Sequence, residues 1–180
     1  PGSLVGSEMC IRDSNYMKAY HHGNLKKELI KTACKLCERD GYTKLSIRSL
    51  AKESNVSQTA PYRHFKTKED LYAAITKEGF DKLNKEMSSI TSKNSKDYLI
   101  NCGKSYIDFG LKNANTYDLM FGTAVGNYAD YPELSDSANN LFQILLSNFK
   151  KLSNDNDETV AFKCITLWSM VHGLSLIHIS

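Results

Sequence analysis

Between Asn55 and Tyr72 the chain reads NVSQTAPYRHFKTKEDLY, which crowds hydrogen-bond donors into a short span. Gln58 and Thr59 bring an amide and a hydroxyl; Tyr62, Arg63 and His64 bring a phenol, a guanidinium and an imidazole; Lys68 brings an ammonium. Its carboxylates, Glu69 and Asp70, fall at a helix start and no paired inward carboxylates appear, so the set is not built for acid–base catalysis. It suits a polyanion instead. Amides and hydroxyls at a helix start meet base edges, while phenols and cations donate to phosphate oxygens. Arg48, somewhat earlier in the chain, is placed for a further phosphate.

Positioning these groups is the task of the flanking pattern. Ser46 caps a short helix over Ile47–Ser54, with Ile47, Leu50 and Ala51 on one face. Asn55 tolerates the left-handed turn that ends it, and Val56 supplies an apolar plug. Ser57 caps a second short helix running to about Phe65, which turns inward. Two short helices with so brief a turn form a helix-turn-helix, with the small Ala51 where the pair crosses closely. Pro61 then falls at the end of the second helix's first turn, where it removes at most about one hydrogen bond.

Upstream lies a basic arm, YMKAYHHGN, and a first helix over Leu25–Asp40, capped by Asn24 and ended by Gly41. Downstream, Thr67 and Asp70 make a capping box for a linking helix through Leu71, Ile75, Phe80, Leu83 and Met87. The remainder reads as helices over Lys96–Lys112, Thr116–Phe121, Glu133–Leu152 and from Asp157 onward, the last capped by Asn156 or Asp157. The expected fold is therefore all-α, a three-helix head joined by a linker helix to a helical body. Domain limits fall at 15–66 for the head and 67–173 for the body.

Bulk properties agree with this division. Hydrophobic residues make up 41% and charged residues 24%, the balance of an ordinary globular chain. From Lys18 to Glu86 there are 15 Lys and Arg against 9 Asp and Glu, but from Met87 to Gly173 only 7 against 9. A basic head on a slightly acidic body fits nucleic-acid binding at one end and another task at the other. No apolar run reads as long enough to span a bilayer. Five cysteines, an odd number with no disulfide-like framework, favour a reducing cytoplasm. Cys34 and Cys37 have metal-pair spacing, yet they share a helix face with Leu29, Ile30 and Ala33 and read as core. No nucleophile–base set, metal-spaced ligands or cofactor motif stands out, so neither an enzyme nor a metal or cofactor protein is expected.

Both ends break the pattern. LVGSEMCIRDS near the start and LSLIHIS at the end back-translate to one transposase-type sequencing adapter in opposite orientations. Residues 1–14 and 174–180 are therefore read as processing scars, with the native carboxyl end missing.

The stretch from Tyr20 to Ile75, and above all S-x-x-APYRHFxxKExL, resembles the TetR family of transcriptional repressors. In the body LMFG (Leu119–Gly122), YPEL (Tyr131–Leu134) and WSMVHGL (Trp168–Leu174) resemble, in the same order, the motifs of a subgroup with a WHG-type carboxyl domain. The resemblance implies a cytoplasmic homodimer that binds a palindromic double-stranded DNA operator and is released when a small-molecule effector enters the body. Carried over by motif, the recognition helix is Ser57–His64, with Gln58, Thr59, Tyr62 and His64 as contacts and Lys68 on the backbone; Arg63 stands beside them at a position that varies in type among relatives. Family dimers pair through their last two long helices. The chain ends within the first of these, so a weak dimer or aggregation through an exposed apolar face is expected.

Aromatic residues recur through the body at helical spacing, and most are expected to be core. Tyr106, Phe109, Met120, Phe142, Trp168 and His172 are the candidates for lining a ligand pocket, Trp168 and His172 sharing a face at i,i+4. The alternative function is a helical ligand-binding or interaction protein without specific DNA reading.

Overall fold

The computed structural model describes residues 25–179, and the basic arm, the Asn24 cap and the segment LVGSEMCIRDS lie outside them. Seven α-helices and no strands are found among the described residues. They are α1 (Leu25–Asp40), α2 (Ile47–Glu53), α3 (Lys68–Ser88), α4 (Ser95–Lys112), α5 (Ala114–Phe121), α6 (Pro132–Leu152) and α7 (Asp157–Ile179). Short 3-10 turns at Tyr42–Lys44, Pro61–Arg63 and Tyr128–Asp130 punctuate the loops.

The helix ends follow local chemistry closely. Gly41 sits at φ 81°, in the left-handed region, and its N–H closes α1 on the Cys37 carbonyl at 2.9 Å. Ser46 caps α2 by accepting from Ser49 N at 3.0 Å, while Ser49 Oγ accepts from Ser46 N. Asn55, at φ 53°, ends α2 in a Schellman arrangement: Val56 N–H reaches the Ala51 carbonyl and Asn55 N–H that of Lys52. Thr67 and Asp70 form the reciprocal box that starts α3. At the start of α7 the cap is Asn156, whose Oδ1 accepts from Thr159 N at 2.9 Å.

Two expectations are corrected. The stretch after Ser57 is a turn followed by a 3-10 turn over Pro61–Arg63, rather than an α-helix to Phe65. Proline is the physical reason. Lacking an N–H, it cannot bond back to the Ser57 carbonyl, so that carbonyl takes Ala60 N at 3.0 Å and the ladder continues with three-residue spacing. Ser57 then serves no helix cap; its Oγ pairs with Thr59 Oγ1 at 3.3 Å. Pro61 itself is buried, and its carbonyl accepts from both His64 N and Phe65 N at 2.9 Å.

The second correction concerns α7. Asp157–His178 is long and apolar enough to cross a membrane by length and composition, with mean hydropathy 1.5. Reading the chain only to Gly173 hid this, because Leu174–Ile179 continue the helix, with Ser175 buried and bonded to the Val171 carbonyl at 2.8 Å. Within the bundle α7 packs on α4 and α6.

In the head, Leu29, Ala33, Leu36 and Cys37 of α1 cluster with Leu50 of α2, Phe65, and Leu71 and Ile75 of α3. Burial pushes the Cys37 thiol up to about 11 and that of half-buried Cys34 up to about 12, as suits packing groups. α3 then runs out of the head and packs on α5 and α6, its Phe80, Leu83 and Met87 joining the body's core. One helix thus belongs to both parts.

Candidate nucleic-acid interface and ligand cavity

On the head, Arg48, Ser57, Gln58, Thr59, Tyr62, Arg63 and Lys68 are all exposed, and His64 is half-buried. Tyr62 leaves 47% of its surface in solvent although Pro61 beside it is buried, so the 3-10 turn presents the phenol outward. Beneath, Phe65 is 2% exposed and holds the segment on the core, its ring edge-on to His64 at 6.4 Å. Lys68 is steered as well: its Nζ donates to the Thr43 carbonyl at 3.2 Å and lies 5.2 Å from the Tyr72 ring centre. The result is an exposed row of donors, its two ends fixed by the Asn55 turn and the Thr67 box.

In the body, a cavity of about 420 Å³ opens between α3, α4, α5, α6 and α7, within the range of small-molecule sites. Tyr106, Met120, Phe142, Trp168 and His172 line it. Phe109 does not. It lies one turn along α4 from Tyr106, on the side facing α1 and α3, where the Lys82 ammonium sits 5.8 Å from its ring. Helical spacing relates Phe109 to Tyr106 but does not say which residue meets which neighbour. Phe80, Phe121 and Tyr128, which also line the cavity, were not among the sequence candidates. Phe80 belongs to the linker helix, and its role follows only from how far α3 extends into the body.

One polar cluster sits in this apolar wall. His172 Nδ1 lies 2.6 Å from the Tyr117 hydroxyl and 3.1 Å from that of Tyr106. The two hydroxyls are 3.2 Å apart, and Trp168 Nε1 donates to Tyr106 at 3.2 Å. With the indole and both phenols donating within this cluster, Nδ1 accepts one of their three protons, which leaves the imidazole proton on Nε2. Burial raises both phenols above their usual range and lowers His172, so all three are held neutral.

A sign for pH follows. Among the described residues the groups facing His172 are Tyr106, Tyr117, Phe121 and Trp168, and none of them is a carboxylate that would compensate an imidazolium. Above the ordinary histidine value of about 6.5 His172 is neutral folded or unfolded and has no effect on stability; as pH falls below it the unfolded chain takes the proton first. Wild-type Tm should drop on moving from neutral pH to pH of about 5 by more than that of His172→Gln. Equal drops, measured by thermal melts of both proteins, would refute this.

Head and cavity are physically joined. At the end of α1 the Glu38 carboxylate accepts from Thr116 Oγ1 (2.8 Å), Thr116 N (3.1 Å) and Asn115 N (3.3 Å), capping α5, the helix that carries Tyr117 and Met120. Asn115 Nδ2 returns a bond to the Glu38 carbonyl at 2.8 Å. On the other side, Glu69 accepts from Gly126 N at 2.8 Å, and Tyr131 donates to Asp70 at 3.3 Å.

Comparison with known proteins agrees with this architecture. Residues 29–75 match the family described as bacterial regulatory proteins, tetR family, and residues 99–180 match the tetracyclin repressor-like C-terminal domain. The chain belongs to the TetR family. It is a DNA-binding transcriptional regulator with a helical ligand-binding body. The fold is shared with a Rhodococcus sp. RHA1 protein of unknown function (TM-score 0.74, 22% identity, 90% of this chain and 86% of that one). It is also shared with BioQ in complex with its double-stranded DNA operator (TM-score 0.60, 19% identity, 86% and 87%). A third likeness is to a TetR variant from Acinetobacter baumannii AYE in complex with minocycline (TM-score 0.59, 18% identity, 86% and 81%). No curated protein matches the sequence.

Proposed function

We propose that this TetR-family regulator is a repressor that binds a palindromic operator as a homodimer and is released when a small molecule fills the body cavity. The observation that carries the reading is the Glu38 cap, which ties the end of a head helix to the start of a cavity helix. In this reading the head (15–66) contacts DNA through the segment from Ser57 to His64. Gln58 and Thr59 meet bases, while Arg48, Tyr62, Arg63, His64 and Lys68 meet phosphates or the groove. The body (67–173) holds the ligand against Tyr106, Met120, Phe142, Trp168 and His172. Phe109 is left to packing.

Pairing of two copies is supported by the apolar face that α7 leaves in solvent, where Phe162, Ile165, Met170 and Ile177 are each more than half exposed. The protein acts in the cytoplasm as a regulator rather than an enzyme, a reading supported by its free thiols and its family.

Binding to random duplex DNA as salt is raised tests the interface. Wild type should lose affinity steeply with salt, as expected when several phosphates are neutralised. Tyr62→Ala/Lys68→Ala should bind at least about tenfold more weakly, with a shallower salt slope. If the two proteins bind alike, the assigned interface is wrong and the head has another role.

A further inference from the structure

We infer that the body cavity takes an uncharged, largely aromatic molecule carrying one hydrogen-bond acceptor, which docks on the Nε2–H of His172. This rests on reading the cavity as the regulator's ligand site and adds the chemistry of the ligand.

The walls exclude ions. Among the described residues no Asp, Glu, Lys or Arg lines the cavity, so a carboxylate or ammonium would lose its hydration with no counter-charge to meet it. The polar groups that are present do not supply one either. Trp168 and the two phenols are committed to the cluster that ends on His172 Nδ1, and the imidazole is neutral. The other walls are apolar: aliphatic side chains such as Leu141, Leu145 and Leu167, and the rings of Phe80, Phe121, Phe142 and Trp168, which favour flat partners.

Apart from the exposed Asn139 and Ser169, which also line the cavity, one donor of the cluster is left over. With Nδ1 accepting, the proton of His172 sits on Nε2, and no group among the described residues hydrogen-bonds that nitrogen. A carbonyl or ether oxygen is the complementary partner. With the phenols donating inside the cluster, the cavity presents a donor at this point.

The only tryptophan of the chain is Trp168, so its fluorescence, corrected for the probes' own absorption and emission, reports on this cavity. Four probes of matched shape separate the possibilities: 2-acetylnaphthalene, naphthalene, 2-naphthoate and 2-(aminomethyl)naphthalene, with acetophenone and 4-acetylbiphenyl covering smaller and larger sizes. At pH 7.5 the matched ketone should bind more tightly than naphthalene, and at least about tenfold more tightly than either ion. In His172→Phe the ketone's advantage over naphthalene should vanish while naphthalene itself still binds, which shows the cavity intact.

Charged probes binding as well as the ketone would overturn the inference. So would a ketone advantage that survives in His172→Phe, or the failure of every neutral probe to alter Trp168 emission. Duplex binding measured on the same preparations keeps the two readings apart. Salt-sensitive DNA binding with the wrong probe order sinks the ligand chemistry alone, while the right probe order without DNA binding sinks the regulator reading.

Discussion

Phe65→Ala should cost about 3–5 kcal/mol of stability and abolish DNA binding, because one ring both fills the head core and seats the recognition segment. Phe65 is 2% exposed, among the largest fully buried side chains, and its N–H bonds the Pro61 carbonyl. Truncation leaves a cavity under a segment with no α-helical ladder of its own, so little resists its displacement. A thermal melt should fall by on the order of 10 °C. Phe65→Leu keeps most of the volume and should lose only about 1 kcal/mol, retaining measurable duplex binding. An alanine variant as stable as wild type would show that the segment is held by something other than this ring.

Removing the head-to-body tie should have the second largest effect, and a different kind of effect. Glu38→Ala deletes an acceptor of three hydrogen bonds at the start of α5, where a carboxylate also meets the positive helix end. A stability loss of about 2 kcal/mol is expected. The informative change is in communication between sites. In wild type, 2-acetylnaphthalene should weaken duplex binding by a factor within the usual span of about 5–150 for coupled sites. In Glu38→Ala that factor should approach one while each ligand alone still binds. Glu38→Gln, which keeps an acceptor without the charge, should lie between. Undiminished coupling in the alanine variant would move the connection to the Glu69–Gly126 and Asp70–Tyr131 contacts instead.

Much of the head was legible because its signals are local. Ser46, Asn55, Thr67 and Gly41 announce helix ends by chemistry that acts within a few residues, and the structure places boundaries there. The start of α4 and of α6 lies one residue earlier than spacing suggested, and that of α5 two, as fraying ends allow. Pro61 shows how local reading can fail. Its position relative to Ser57 was clear, but the loss of one N–H in so short a segment converts the whole segment to three-residue spacing.

The cavity was harder to read. Trp168 and His172 share a helix face by spacing alone, and their rings lie 6.3 Å apart. Phe109 and Tyr106 look equivalent in the same way, yet point to different neighbours. Glu38 was invisible. Its partners lie 77 and 78 residues away, and a glutamate near a helix end with basic neighbours reads as an ordinary surface charge.

The Glu38 cap also has a consequence for the economy of the cell. A linkage between two binding events is symmetric: if the small molecule loosens the grip on the operator, the operator loosens the grip on the small molecule by the same factor. Protein parked on its operator is therefore a poorer sensor than protein free in solution. The concentration at which the gene responds would depend on how many copies of the regulator a cell holds relative to its operators, and not on the cavity's affinity alone.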